Sequence, residues 1–357
     1  MIKGLDQVLA DSQQPGLDEL RALLKELLDG PGCTGHWLDQ TKLKPCSERV
    51  YRLRFAINDQ LRSVVVKRLR PETARRNELV AQRWLPAIGL SGRSASVVGS
   101  AAARTGGWAW HVYEDLGQCE LNSCQPDRER VRAAVELLAQ VHTRFAGQPL
   151  MGEVRLHGGD LGLHFHEATV HDALRALIAW KPPGDCWALR ARLLRYLHRL
   201  NDQLPQRAQA MTTFGGPETL LHGDLWANNV FVIPTATGLH ARLIDWDHAA
   251  VGPYSYDLST FLLRFPAEHR RWVLEMYRQA VAPAGWRLPS LQALNSLFET
   301  HEYVRIVNRL IWPAIAQVAD HAPWGVEALN EVGQWFEAVT PVLPRPEAHP
   351  SAQLVPA

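Results

Sequence analysis

Five polar side chains crowd one short stretch of this 357-residue chain: His222, Asp224, Asn229, Asp245 and Asp257 fall within 36 residues. Two strand-like runs, Val230 to Ile233 and Ala241 to Ile244, flank the turn-rich sequence 234–238 (PTATG) and read together as a hairpin. Opposite residues of an antiparallel pair lie equally far from the turn centre, which falls here near residue 237. Asn229 and Asp245 therefore stand side by side at the open end, to within about one residue of register. An amide oxygen and a carboxylate at a strand end make a hard-oxygen pair suited to Mg²⁺. Asp224 lies five residues before Asn229, on the loop entering the first strand, and brings a third oxygen-bearing side chain to the same place. Each of these residue types alone is a common turn former. Their conjunction around one hairpin is what points to a site.

Such a site needs elements to hold it. Upstream, Arg49 to Ile57 alternates with Val50, Leu53, Phe55 and Ile57 apolar, turns at Asn58-Asp59, and returns as Leu61 to Leu69, which predicts a second hairpin. Before it, GLDELRALLKELLDG places Leu17, Leu20, Leu23, Leu24, Leu27 and Leu28 on one helical stripe ending at Gly30. A helix is expected from about Ala74 to Leu85, and strands at Ala95 to Gly99 and Trp108 to Tyr113. Residues 1–113, with a helix over 15–30, thus read as a mostly antiparallel sheet lobe, joined at 114–117 to a larger helical lobe over 118–342. In that lobe helices are expected at Asp127 to Phe145, Trp187 to Leu204 and through Pro266 to Val342, with breaks at 283–285, Pro313 and Pro323. The Gly- and His-rich stretch His157 to His171 reads as loop, and 343–357 as a Pro-rich flexible tail.

Composition narrows the class. Hydrophobic residues at 46 % and charged residues at 21 % suit a globular chain of about two domains or lobes. A net charge of +1 gives no global field toward nucleic acid or an anionic membrane. No apolar run approaches the roughly 18 residues that span a bilayer. The N-terminus lacks the apolar stretch of a signal peptide, and the five cysteines (33, 46, 119, 124 and 186) are odd in number and form no CxxC, so the reducing cytoplasm is the expected compartment.

With these residues in view, the sequence resembles a known family. HGDLWANN (222–229) has the H-x-D-x-x-x-x-N form of the catalytic loop shared by protein kinases and small-molecule phosphotransferases, and IDWD (244–247) holds the place of their metal-binding Asp-Phe-Gly segment. The H-G-D spelling and the following G-P-x-x-x-D-L-S are similar to the aminoglycoside phosphotransferase and choline kinase-like family. The resemblance implies an α+β, two-lobed, protein kinase-like fold, with a small antiparallel N-lobe and a larger, mainly helical C-lobe. It implies transfer of the γ-phosphate of ATP (or GTP) to a hydroxyl of a small molecule: an aminoglycoside, an amino alcohol or a sugar. Asp224 would be the catalytic base, Asn229 and Asp245 would hold Mg²⁺ across the phosphates, His222 would shape the loop and Asp257 would brace it. Asp247 either approaches a second metal or faces solvent.

The resemblance also makes demands of the sheet lobe. A Lys late in a strand would contact the α/β-phosphates and a helix acid would hold it; VVVK supplies Lys67, and Glu78 is the acid expected to pair with it. HVYEDLG (111–117) matches the family's hinge, so the Glu114 carbonyl and the Leu116 N–H would meet the adenine, with Tyr113 behind the ring. The nucleotide-covering turn, KLKPCSERV (42–50), departs from the kinase pattern in having no glycine, leaving Ser47 and nearby N–H groups to touch a phosphate. A GxxxxGK loop is absent. Two other readings compete: a metal-dependent hydrolase built on His222, Asp224, Asp245 and His248, and a non-catalytic nucleotide-binding module. Expected partners are a small hydroxyl acceptor only, with neither nucleic acid nor membrane.

Overall fold

The computed structural model describes residues 2–10, 12–29, 33–44, 48–182, 184 and 186–344. Gly30, Cys46, Ser47 and the tail from residue 345 lie outside the described residues. The chain divides into two compact units, Met1–Asp160 with Glu218–Gly252, and Leu161–Pro217 with Pro253–Ala357. The join expected at 114–117 lies inside the first of them.

The first unit opens with β1 (Ile2–Lys3), α1 (Leu17–Leu28), β2 (Gly35–Lys42), β3 (Val50–Ile57) and β4 (Gln60–Leu69). Then follow α2 (Pro71–Leu79), a π-helical stretch over Val80–Trp84, α3 (Leu85–Ala87), β5 (Val97–Ala102) and β6 (Ala109–Glu114). The six strands form one sheet in the order β1-β2-β3-β4-β6-β5, antiparallel except for β1 beside β2. Asn58 and Asp59, both at positive φ (49° and 58°), make the two-residue turn between β3 and β4, the backbone twist such a hairpin favours. Strand alternation buries Tyr51, Leu53 and Phe55 on one face, where α1 covers them with Leu20 and Leu24. Each of those leucines contributes roughly 2 kcal/mol by leaving water. Leu27, expected in the same stripe, is exposed.

After β6 come α4 (Arg128–Phe145), capped by the Asp127 carboxylate, which accepts from Arg130 N at 2.9 Å, and α5 (Met151–His157). The unit closes with β7 (Glu218–Leu221), β8 (Val230–Thr235), β9 (Gly238–Leu243) and β10 (Ala250–Pro253), paired as β8 with β9 and β7 with β10.

The second unit is helical among its described residues: α6 (Leu163–Ala179), α7 (Cys186–Phe214), α8 (Ser255–Leu263), α9 (Ala267–Val281), α10 (Leu291–Asp320) and α11 (Pro323–Ala338). The loop reading of His157 to His171 holds for residues 158–162 and is overturned beyond them, because α5 ends at His157 and α6 begins at Leu163. His166 occupies a buried position on the α6 stripe that also carries Val170, Ala173 and Leu177, so a polar residue type stands at a core position. His166 Nε2 lies 3.3 Å from His301 Nδ1, and His301 Nε2 lies 2.8 Å from Ser255 Oγ, a buried polar chain within an otherwise apolar core. Pro313 does not end α10, whereas 282–284 becomes a 3₁₀ turn and Pro323 starts α11. No described helix is long and apolar enough to cross a membrane.

Candidate active site

The hairpin of β8 and β9 sets the site's geometry. Val230 pairs with Leu243, and the Ile244 N–H donates to the Asn229 carbonyl at 2.9 Å. Asn229 thus faces Ile244, and Asp245 lies one residue beyond, within the register margin of the sequence reading. Asp245 holds a left-handed backbone (φ 64°, ψ 51°), which a residue with a Cβ adopts at a cost. The chain then makes a 3₁₀ turn over Trp246–His248.

The preceding loop packs directly on that turn. His222 is buried, its ring 4.8 Å from that of Trp246, and its Nε2–H donates to the Ile244 carbonyl at 2.8 Å. That leaves Nδ1 as the acceptor for the Asp224 N–H at 3.4 Å. Gly223 has φ 82°, and a Cβ there would meet the His248 carbonyl oxygen at 2.0 Å, so only glycine fits between the two loops. Asp224 is partly exposed; its Oδ1 accepts from Trp226 Nε1 at 2.5 Å, and its carbonyl accepts from Asn229 Nδ2 at 3.0 Å. The base candidate and the amide candidate are therefore tied through one backbone.

Positive charge gathers on Asp245. Lys67, late in β4, donates to Asp245 Oδ1 and to Asp247 Oδ1 (2.6 Å to the latter), and Lys44 donates to Asp245 Oδ2 at 2.7 Å. Burial works to raise the Asp245 pKa, but the Lys67 and Lys44 ammonium groups outweigh it and hold this carboxyl far below the usual range. Burial likewise works against the charged Lys67, and the two carboxylates more than offset it. Asp247 faces inward: besides Lys67 it accepts from Asn77 Nδ2 at 2.9 Å, which resolves the alternative of a solvent-facing role.

Lys67 thus has other partners than the one expected. Glu78 instead accepts from Ser100 Oγ at 2.8 Å and stands 3.3 Å from His111 Nε2. The reason is helix phase. α2 turns buried Asn77 toward Asp247, and the next residue points about 100° away. His111 Nδ1 lies 2.9 Å from the Tyr113 hydroxyl; burial pushes the His111 pKa down and the Tyr113 pKa well up, so both stay neutral at ordinary pH.

Lys44, Lys67, Asn77, Asn229 and Asp245 form the polar end of a cavity of about 340 Å³, within the size range of small-ligand sites, and Asp224 lies outside its lining. Its apolar walls include Val50, Val65, Ala81, Phe231 and Leu243, and both Glu114 and Leu116 line it. The Glu114 carboxylate is turned to Arg242 Nη1 (3.0 Å) and Ser96 N (2.6 Å), which overcome the effect of burial and lower its pKa. Asp115 is held by Arg52 at 2.7 Å. Asp257, expected to brace the catalytic loop, is buried in the first turn of α8 in the second unit. The hydrolase alternative requires His222 and His248 to join Asp224 and Asp245 at one ion. His222 instead spends Nε2 on a backbone carbonyl, and among the described residues no three His, Cys, Asp or Glu side chains gather as a metal cluster.

Lys44, Asn77 and Arg76 escaped the sequence reading. Arg76 ties α2 to three backbone carbonyls: those of Asp247, His157 (3.0 Å) and Gly158 (2.9 Å). The one signal for Lys44 was the lysine-rich, glycine-free sequence 42–50.

No curated protein sequence matches the chain. Among solved structures, the choline kinase of Streptococcus pneumoniae is similar with a TM-score of 0.51 and 14% identity, over 88% of this chain and 96% of that one. The ethanolamine kinase of Plasmodium vivax gives 0.55 and 11%, over 94% and 92%. A spectinomycin phosphotransferase in complex with ADP and spectinomycin gives 0.52 and 12%, over 87% and 90%. At these identities the likeness is one of fold: an N-terminal sheet followed by a mainly helical region, the α+β class expected. Residues 42–292 match the sequence profile of the phosphotransferase enzyme family. That stretch takes in residues 111–117, the loop 222–229 and the hairpin of β8 and β9, and with the greater part of its length so matched, the chain belongs to the phosphotransferase enzyme family.

Proposed function

We propose that this protein transfers the γ-phosphoryl group of ATP or GTP, with Mg²⁺, to a hydroxyl of a small amino alcohol, aminoglycoside or sugar-like molecule. The observation that carries this reading is the mounting of Asp224, Asn229 and Asp245 on two interlocked loops, with Lys67 on Asp245 at the polar end of the cavity. Phosphoryl transfer asks a protein chiefly to position reactants and neutralise charge, and this arrangement is built for both. The acceptor class is supported by the fold shared with a choline kinase, an ethanolamine kinase and a spectinomycin phosphotransferase, the last holding ADP.

In this reading Val65 and Phe231 enclose the base, while the Glu114 carbonyl and the Leu116 N–H bind its edge. Lys67 binds the phosphates. Asp245 and Asn229 suit Mg²⁺ because both offer hard oxygens, and the cation would displace an ammonium group from Asp245 to reach it. The cation, when bound, offsets the charge on the transferring group. Asp224 keeps Oδ1 on Trp226 and presents Oδ2 to the acceptor hydroxyl, orienting it and taking its proton. His222 fixes the loop, and Glu78 fixes the neutral His111–Tyr113 pair behind the cavity.

ATP consumption across a panel of amino sugars, sugars, amino alcohols and amino acids tests this. An acceptor-dependent rate is expected, falling roughly 10²- to 10⁴-fold in Asp224→Ala with the protein still folded. Turnover at the wild-type rate in that variant would sink the assignment.

A further inference from the structure

We infer that Lys44 is a phosphate-binding residue of the nucleotide site, supplying by side-chain charge what a glycine-rich covering loop supplies by backbone N–H groups. The inference rests on the nucleotide reading above and adds a residue to it. Three observations carry it. The first is position: the Leu43 N–H donates to the Val50 carbonyl at 3.1 Å, closing the β2–β3 ladder, so Lys44 is the first residue past the paired strands, and it lines the cavity. The second is chemistry: its Nζ lies 2.7 Å from Asp245 Oδ2, while Lys67 holds Oδ1, so two ammonium groups converge on the polar end. The third is the contrast between them. The Lys67 side chain is 12% exposed and fixed by two carboxylates, whereas that of Lys44 is 54% exposed and has one.

With its ammonium half in water, Lys44 holds Asp245 less firmly than buried Lys67 does, so that contact is an incomplete account of why a lysine stands there. An ammonium on a flexible stem is suited to a different task, meeting a mobile polyanion as a point charge. The sequence 42–50 contains no glycine, the residue that lets backbone N–H groups converge on a phosphate, so charge on that side of the cavity has to come from a side chain.

Direct titration of nucleotide into the wild type, Lys44→Gln and Lys44→Arg, without acceptor and both with and without Mg²⁺, tests the inference. Lys44→Gln should bind ATP and ADP roughly tenfold more weakly, the loss of one charge-assisted contact, with adenosine affinity unchanged and only a small fall in melting temperature from the lost contact with Asp245. Lys44→Arg should recover most of the loss. Equal or tighter ATP binding by Lys44→Gln overturns the assignment, and so does an equal loss for adenosine, which would mark a structural effect. A wild type that binds neither ATP nor ADP would instead overturn the nucleotide reading itself, and this inference with it.

Discussion

Gly223 and Asp245 both hold positive φ, and for opposite reasons. At Gly223 the conformation is free of strain, and the missing Cβ leaves room for the His248 carbonyl. At Asp245 the conformation costs energy, offset by the ammonium groups on both carboxylate oxygens. Gly223→Ala should therefore fail on two counts, backbone strain and a 2.0 Å clash, and destabilise the first unit by about 2–4 kcal/mol. A lowered thermal midpoint with collapsed turnover is the expected result; an unchanged midpoint would show that the two loops can separate at little cost. Because its lysines depress the Asp245 pKa, that carboxylate contributes its stability fully above the unfolded value of 3.8 and loses it only as pH falls through the still lower folded value.

At the scale of elements, α2 is fastened to the site by two neighbouring side chains. The half-buried Arg76 guanidinium gathers the carbonyls of Asp247, His157 and Gly158, while Asn77 beside it holds the Asp247 carboxylate. Arg76→Ala leaves those three acceptors without this donor. It should cost roughly 2 kcal/mol and speed amide hydrogen exchange over 246–250 more than elsewhere in the first unit. Uniform exchange rates across the unit would refute the tether. The hairpin carrying Asn229 and Asp245 was legible in advance because a turn-rich connector between two strand-like runs fixes register almost by itself. The choice between Asn77 and Glu78 was not, since neighbouring helix positions differ by about 100° and only packing sets the phase. β2 was hidden for a related reason: GHWLDQTK mixes polar and apolar residues without a clean alternation. α6 was hidden because His166 occupies a core position that periodicity counts as polar.

For the whole molecule, acid should act unevenly. Burial pushes His166 down to about 3 and His301 well below its ordinary 6.5, both in the second unit. An imidazole with a depressed folded pKa is protonated first in the unfolded chain, so stability falls as pH drops from about 6.5 toward the folded value. For His166 the loss reaches ~2 kcal/mol by pH 5. His111 and His240 in the first unit shift the same way, whereas Asp245, Glu114 and Asp115 lose their contribution only in the more acidic carboxylate range. Urea unfolding at pH 7 and pH 5 should show a steep loss in the wild type, reduced by ~2 kcal/mol in His166→Gln, which keeps a hydrogen-bonding group without titrating. Identical pH slopes for the two proteins would contradict this.

The contact of Gly223 with the His248 carbonyl has a mechanical corollary. It works as a gauge block, setting the interval between the loop that carries Asp224 and the turn that carries Asp245 as a constant of the fold rather than an adjustable gap. Under the proposed phosphotransfer reading, a change of acceptor is then a matter of reshaping what brings the acceptor in, since the ruler it is measured against does not stretch.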